Sequence, residues 1–205
     1  MERKNYVIVM AAGHGTRMGS ALPKQFIELN GKPILQLAIE KFVAACPDVR
    51  VVTVLPKEYM QEWRDLCARN NFYCPQMLVE GGITRFHSVR NALARIPDGV
   101  VVAIHDGVRP LVSPDLVSRM YGMMSSCNAL IPVLPSVDTL KAVRKVVDSQ
   151  GNESLRTIPD VIIDRTATGN STGKLIKKTF LGLLHTLIEG LFLLFFEEFV
   201  EKSHD

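Results

Sequence analysis

The stretch YVIVMAAGHGTRMGSALPKQ, residues 6–25, decides the fold class. Its first five residues form a run of apolar and β-branched side chains that predicts a buried strand. Glycines follow at once at positions 13, 15 and 19, where the lack of a Cβ lets backbone N–H groups approach phosphate oxygens. Arg17 and Lys24 add two fixed positive charges. The stretch therefore predicts a strand that ends in an anion-binding loop.

The spacing of these glycines excludes two common phosphate-binding loops. G-x-G-x-x-x-G is one residue longer than the dinucleotide-binding fingerprint, and the chain contains no G-x-x-x-x-G-K-[ST]. The segment Gly169-Asn170-Ser171-Thr172-Gly173-Lys174 has only three residues between its glycines and is followed by Leu175. Neither a Rossmann dehydrogenase nor a P-loop NTPase is expected.

Strand and helix patterns alternate along the rest of the first 133 residues. The predicted strands cover residues 6–10, 49–55, 76–79, 100–105 and 129–133, and the predicted helices cover residues 34–45, 59–70, 85–94 and 114–125. Ser113 is the expected N-cap of the last helix. This order predicts an α/β fold with a doubly wound, mainly parallel, Rossmann-like sheet.

Three polar loops follow predicted strands, at residues 11–25, 80–85 and 106–110. Ligands of parallel sheets bind at the carboxyl ends of the strands. We therefore expect these loops to meet at one rim.

The pattern changes beyond residue 135. Residues 139–147 and 155–165 predict a long β-hairpin around a polar turn, and an isolated hairpin needs a partner surface. Residues 179–200 hold five of the nine Phe of the chain but no apolar run long enough to span a membrane. We predict a catalytic domain at 1–135, a protruding dimerisation arm at 136–165 and an atypical tail at 166–205, out of frame or disordered.

Composition is that of a soluble globular protein, with 47% apolar and 22% charged residues. The net charge of +3 is small and its cations are scattered, so neither a nucleic-acid nor a membrane partner is indicated. The four cysteines form no C-x-x-C pair and are interpreted as reduced thiols. The N-terminus leaves no room for a signal peptide before the first strand, and a cytoplasmic location is expected.

Five ordered motifs over residues 5–165 resemble those of the nucleotidyltransferases that join cytidylyl groups to polyol phosphates, above all the bacterial 2-C-methyl-D-erythritol 4-phosphate cytidylyltransferases. They are the glycine loop with Pro23-Lys24-Gln25, Gly81-Gly82 with Thr84-Arg85 and Ser88-Val89, His105-Asp106-Gly107-Val108-Arg109-Pro110, Asp138-Thr139-Leu140-Lys141, and Ile163-Asp164-Arg165. The resemblance implies transfer of CMP from CTP to the polyol phosphate, with release of pyrophosphate, in non-mevalonate isoprenoid biosynthesis. Ribitol 5-phosphate remains an alternative substrate.

The resemblance also implies a role for each motif residue. Arg17, Lys24 and Arg165 would be catalytic, and Asp106 would hold Mg²⁺ directly or through water. The polyol phosphate would contact Asp106, Arg109, Thr139, Lys141 and Arg165, with the arm residues supplied by the second subunit of a homodimer. The nucleotide would contact Ala11, Ala12, Gly13, Gly15, Gly81, Gly82, Arg85, Ser88 and Asp106.

Simpler interpretations stay open for some of these residues. Arg85 could brace the loop around Gly81-Gly82, which the resemblance implies binds the nucleotide base, instead of touching the ligand. Arg109 could pair with a nearby carboxylate. His14 and His105 are interpreted as loop scaffolding, because an ionised phosphate nucleophile needs no histidine base.

The resemblance stops at Arg165. The T-P-Q segment, the acidic T-D-D-A-type segment and the terminal N-I-K-x-T-type lysine of the family have no counterpart in residues 166–205. A chain that binds CTP but turns over poorly is therefore a second hypothesis.

Overall fold

The computed structural model describes residues 4–13, 22–132, 141–147, 149–151, 153–162 and 193–197. They fall into two compact units. The first contains the described residues up to Ile131 together with Leu193–Glu197, and the second contains the hairpin strands between residues 141 and 162.

A six-stranded sheet forms the centre of the first unit. Its strands are β1 (Asn5–Met10), β4 (Arg50–Leu55), β5 (Gln76–Glu80), β6 (Val101–Asp106), β7 (Ala129–Leu130) and β10 (Leu193–Glu197). Their order in the sheet is β5-β4-β1-β6-β10-β7, and the four strands β5, β4, β1 and β6 run parallel. The predicted Rossmann-like parallel sheet is confirmed.

Helices cover both faces of this sheet, as predicted. They are α1 (Ile34–Ala45), α2 (Met60–Arg69), α3 (Arg85–Leu93) and α4 (Pro114–Met123). Because strand side chains alternate in direction, Val7 and Val9 pack with α1, α2 and α4, whereas Ile8 and Met10 pack with α3. The Ser113 hydroxyl accepts a hydrogen bond from the Leu116 N–H at 3.2 Å, which confirms the predicted cap.

A small two-stranded sheet lies between the first loop and α1. β2 (Glu28–Leu29) and β3 (Lys32–Pro33) pair antiparallel across Asn30 and Gly31, whose φ angles are 53° and 74°. Two successive positive φ angles are those of a type I′ turn, for which Asn-Gly is the preferred pair. This hairpin was not predicted from the sequence.

The second unit contains the predicted long hairpin. β8 (Lys141–Val147) pairs antiparallel with β9 (Glu153–Ile162), with a register irregularity between Lys141 and Val143. Lys145 and Glu153 form an ion pair across the strands at 2.5 Å.

One strand was not predicted. β10 lies between β6 and β7 and pairs antiparallel with both, so part of the segment that was interpreted as an atypical tail completes the sheet. A continuous apolar run such as LFLLFF carries no clear period of 2 or 3.6, which is why it did not indicate a strand. Within the described residues, no helix is both long and apolar enough to cross a membrane.

Candidate active site

A cleft of about 650 Å³ opens at the carboxyl ends of the parallel strands. The three predicted loops meet there. The described residues that line it are Met10, Ala11, Ala12, Gly13, Lys24, Gln25, Gly82, Ile83, Thr84, Arg85, Ser88, Asp106 and Val108. Asp106 is the one carboxylate in this set, next to the cations of Lys24 and Arg85.

The first wall of the cleft continues β1. Ala11 extends the sheet by donating its N–H to the Val54 carbonyl at 2.9 Å. The Gln25 amide donates to the Ala11 carbonyl at 3.0 Å. Lys24 and Gln25 belong to a single 3-10 turn, Lys24–Phe26, which begins after Pro23. Lys24 is the one cation of this wall among the described lining residues, and the wall is the one predicted to bind an anion.

The second wall is the loop that leads from β5 into α3. Thr84 caps α3 by accepting the His87 N–H at 3.3 Å. The Ser88 hydroxyl accepts from the Gly82 N–H at 2.9 Å and donates to the Thr84 carbonyl at 3.0 Å. These bonds hold the loop in a narrow bend that contains two small residues, Gly82 and Ser88.

The two walls touch at Gly81. Its N–H donates to the Leu55 carbonyl at 2.9 Å, and a Cβ built on it would lie 2.5 Å from the Ala12 Cβ. Only glycine fits there without a shift of the backbone, because non-bonded carbon atoms do not approach so closely. Gly81, which lies behind the cleft, therefore sets the separation of the first and second walls.

The third wall carries Asp106 between two arginines. Arg85 Nη1 lies 2.5 Å from Asp106 Oδ1, and Arg109 Nε lies 3.0 Å from Asp106 Oδ2. Asp106 and Arg85 are largely buried, whereas Arg109 is more than half exposed. The nearby carboxylate expected for Arg109 is thus Asp106. Through Arg85, Asp106 also joins the loop that leads from β5 into α3 to the end of β6.

His105 stands behind this wall and is completely buried. Its Nε2 bonds to the Arg109 carbonyl at 3.0 Å, and its ring packs 5.1 Å from that of Phe42. Burial is the main reason that the pKa of His105 falls from 6.5 to about 4. A neutral imidazole bonded to the 106–109 turn agrees with the predicted scaffolding role.

The described residues do not form a protein cage for a metal ion. No group of three His, Cys, Asp or Glu side chains occurs within the ranges given above. Each oxygen of Asp106 already accepts from one arginine but keeps a second lone pair. This donor set fits a magnesium ion that is held mainly by the phosphates of a ligand, since Mg²⁺ commonly takes one or two carboxylates plus phosphates and water.

The predicted site residues divide into four groups. Those that line the cleft are Ala11, Ala12, Gly13, Lys24, Gly82, Arg85, Ser88 and Asp106. Gly81 and Arg109 contact residues that line it, and Lys141 begins a strand of the hairpin unit. Gly15, Arg17, Thr139 and Arg165 lie outside the described residues, as does His14, which was interpreted as scaffolding.

Several lining residues were not predicted to have a role. Ile83 is 97% exposed and Val108 is 42% exposed, so two apolar side chains stand at the edge of the cleft. Gln25 was quoted only as part of the Pro23-Lys24-Gln25 motif. A polar residue directly after a motif lysine was the available signal for it.

A family model described as IspD, 2-C-methyl-D-erythritol 4-phosphate cytidylyltransferase, matches residues 5–159. A curated protein of that name from Azobacteroides pseudotrichonymphae is 40% identical over 141 residues, which are 69% of this chain and 64% of the relative. Another, from Porphyromonas gingivalis, is 42% identical over 142 residues, 69% of this chain and 63% of the relative. The chain thus spans slightly less than two thirds of the length of these relatives.

Solved structures agree on the fold. The 4-diphosphocytidyl-2C-methyl-D-erythritol synthase of Anaerococcus prevotii superposes with a TM-score of 0.58 at 21% identity, over 91% of this chain and 83% of that one. The bifunctional IspDF of Campylobacter jejuni gives a TM-score of 0.57 at 25% identity, over 68% of this chain and 35% of that one. With the family model matched over most of its length, the chain belongs to the 2-C-methyl-D-erythritol 4-phosphate cytidylyltransferase family.

Proposed function

We propose that this chain transfers CMP from CTP to 2-C-methyl-D-erythritol 4-phosphate, forming a CDP-linked polyol and pyrophosphate for non-mevalonate isoprenoid biosynthesis. The observation that carries the proposal is the cleft, in which an anion-binding wall with Lys24 faces a narrow loop of small residues. Relatives of that name at about 40% identity support the same activity.

The loop that leads from β5 into α3 favours a pyrimidine base. Gly82 and Ser88 leave space for one ring, and Ser88 fixes the bend by its two hydrogen bonds. A purine would need the walls to separate. Hydrogen bonds to the end of β4 oppose this, since the Gly81 N–H donates to the Leu55 carbonyl and the Ala11 N–H donates to the Val54 carbonyl, both at 2.9 Å. CTP is therefore the proposed nucleotide, in preference to ATP and GTP.

The chemical step needs positioning and charge neutralisation more than a base. The second pKa of a phosphomonoester is about 6, so the attacking oxygen is largely ionised at neutral pH. It attacks the α-phosphorus of CTP, and the bond to the pyrophosphate oxygen breaks. Lys24, with Arg17, would stabilise the charge on the transferring phosphorus and the leaving group.

Magnesium is the proposed cofactor. It would be carried by the triphosphate and contact Asp106, most simply through water, because arginines already occupy part of both carboxylate oxygens. When bound, it would neutralise phosphate charge. The ion pairs with Arg85 and Arg109 would hold the Asp106 carboxylate at the mouth of the cleft whether or not magnesium is bound.

The remaining contacts are proposed to come from a second copy in a cytoplasmic homodimer. Residues 136–165 would form the dimer contact, and their Thr139, Lys141 and Arg165 would grip the polyol phosphate at the neighbouring cleft. The hairpin strands β8 and β9 support this proposal, since a two-stranded hairpin is marginal without a packing surface.

A second candidate is a CTP-binding chain with low turnover. The observation that favours it is the departure from the family after Arg165, which removes the terminal lysine of the family pattern. One charge-assisted hydrogen bond to phosphate is worth roughly 1.5–3 kcal/mol, so its loss would lower substrate use by about ten- to a hundredfold.

The test is pyrophosphate release with CTP and either 2-C-methyl-D-erythritol 4-phosphate or ribitol 5-phosphate. It is run on this chain and on one whose residues after Arg165 are replaced by a family-like tail. Release of pyrophosphate with the methylerythritol substrate alone supports the proposal. Release with ribitol 5-phosphate would make that polyol phosphate the substrate instead. Calorimetry with CTP, ATP and GTP gives the nucleotide preference, and equal affinities would refute it. CTP binding with turnover only in the tail-replaced chain would select the second candidate.

A further inference from the structure

We infer that Gln25 is a positioning residue that fixes Lys24 at the cleft by tying its turn to the end of β1. The inference rests on the proposed function for its kinetic consequence. Its structural part concerns the free chain alone.

The first contact of the turn is made by the Gln25 side chain. Gln25 is 1% exposed, and its amide donates to the Ala11 carbonyl at 3.0 Å. Ala11 is itself held in the sheet, since its N–H donates to the Val54 carbonyl at 2.9 Å. The amide thus links the turn to a part of the backbone that the parallel sheet already fixes.

The second contact is made by Phe26 on the other side of the turn. Phe26 is 1% exposed, and its ring is stacked on Trp63 with the centroids 5.9 Å apart and the planes within 3°. The Tyr59 ring meets it edge-on at 6.0 Å. Aromatic contacts of this kind restrict the Phe26 backbone as well as its side chain.

Lys24 precedes these two buried residues and shares their turn. The Phe26 N–H donates to the Pro23 carbonyl at 2.9 Å, and the Ile27 N–H donates to the Lys24 carbonyl at 3.2 Å. A lysine side chain has many rotamers, so the position of its ammonium group depends on how firmly its backbone is held. Gln25 holds that backbone on the side of Ala11, through its bond to the Ala11 carbonyl.

Packing alone does not require an amide at this position. Leucine would fill nearly the same volume next to Phe26, but it would leave the buried Ala11 carbonyl without this donor. The Gln25 amide therefore satisfies the buried Ala11 carbonyl, at the start of the wall that is predicted to bind an anion.

Gln36 offers a matched control. It is also buried, at 3% exposure, but it lies on α1 and donates to Glu40 Oε1 at 2.8 Å, outside the residues that line the cleft. Gln36→Leu removes a buried amide of the same size, whose hydrogen bond to Glu40 stays within α1. Thermal unfolding of both variants corrects for any loss of folded protein.

The first measurement is hydrogen exchange of the free chain. Gln25→Leu should speed exchange in a peptide covering residues 23–27 by about tenfold, because the turn opens locally, while Gln36→Leu leaves that peptide unchanged. The second is steady-state kinetics with CTP and the polyol phosphate. Gln25→Leu should lower kcat by about ten- to a hundredfold and change KM for CTP by less than about threefold, since a misplaced cation mainly affects the transition state.

Unchanged exchange of the 23–27 peptide in Gln25→Leu would overturn the inference. So would a kcat that falls only in proportion to folded protein, or equally in Gln36→Leu. If the unaltered chain releases no pyrophosphate with either polyol phosphate, the proposed function fails, and hydrogen exchange then decides the role of Gln25 by itself.

Discussion

Replacement of Gly81 by alanine should move the two walls of the cleft apart. A Cβ at this position lies 2.5 Å from the Ala12 Cβ, 3.4 Å from Ser88 Oγ and 3.7 Å from the Leu55 carbonyl oxygen. Carbon atoms pack best at about 3.5–4.0 Å, so the first contact must lengthen by roughly 1 Å. The Ala12 Cβ cannot rotate away from its backbone. The loop after β5 or the end of β1 must therefore shift.

The cost of that shift follows from the behaviour of overpacked sites, which typically lose about 1–3 kcal/mol. For a domain of this size each kcal/mol lowers Tm by about 2–4 °C. Gly81→Ala should accordingly lower Tm by about 2–12 °C and weaken CTP binding, because the same contact sets the width of the cleft.

Differential scanning calorimetry and CTP titration measure the two effects. Gly13→Ala is the control for the Tm measurement alone, since among the described residues a Cβ at Gly13 meets no heavy atom within 4 Å. It is no control for CTP binding, because Gly13 is itself a proposed nucleotide contact. Its Tm should stay within about 1 °C of the unaltered chain. A Gly81→Ala protein with unaltered Tm and CTP affinity would show that the walls do not meet at this residue.

Burial lowers the pKa of His105 from 6.5 to about 4. Between pH 6.5 and about pH 4 the unfolded chain therefore binds a proton on His105 that the folded chain does not. Stability in urea should therefore fall by up to roughly 3 kcal/mol from neutral pH to pH 4, and the dependence should be shallower in His105→Gln. Lys24→Ala and Arg17→Ala should each reduce turnover on the order of a hundredfold with little change in Tm; a lower Tm with unchanged turnover per folded molecule would assign them a structural role. Deletion of residues 139–164 should give monomers in sedimentation, and a dimer would place the interface elsewhere. Gly122→Ala, at an exposed position of α4 where a Cβ meets no described heavy atom within 4 Å, should raise stability by about 0.5–1 kcal/mol in denaturant unfolding.

Local signals were enough to predict most elements of the first unit. α1 begins and ends where its apolar periodicity does, and α4 begins at a Ser-Pro pair whose capping role is a property of two adjacent residues. The Asn30-Gly31 turn is an equally local signal that was passed over. In contrast, β10 pairs with a strand about ninety residues earlier, and no short pattern encodes that partner.

The meeting of three loops at one cleft was predictable, but the contacts between their side chains were not. The glycines and Lys24 were singled out because phosphate binding favours backbone N–H groups and cations after a strand, whereas Asp106 was singled out by the family resemblance. The pairing of Asp106 with Arg85 joins residues 21 positions apart, and the bond from Gln25 to the Ala11 carbonyl spans 14. Both depend on how separate loops pack against each other, which sequence spacing does not determine.

The stacking of Phe26 on Trp63 gives the chain an intrinsic optical probe. Trp63 is the single tryptophan, is 1% exposed and donates its indole N–H to Gln76 Oε1 at 3.0 Å. Its emission should therefore be blue-shifted relative to a solvated indole. Because its stacking partner lies two residues from Lys24, movement of that turn on ligand binding would alter the fluorescence. Stopped-flow emission could then follow occupancy of the cleft in the unlabelled protein, with Trp63 as the sole tryptophan emitter.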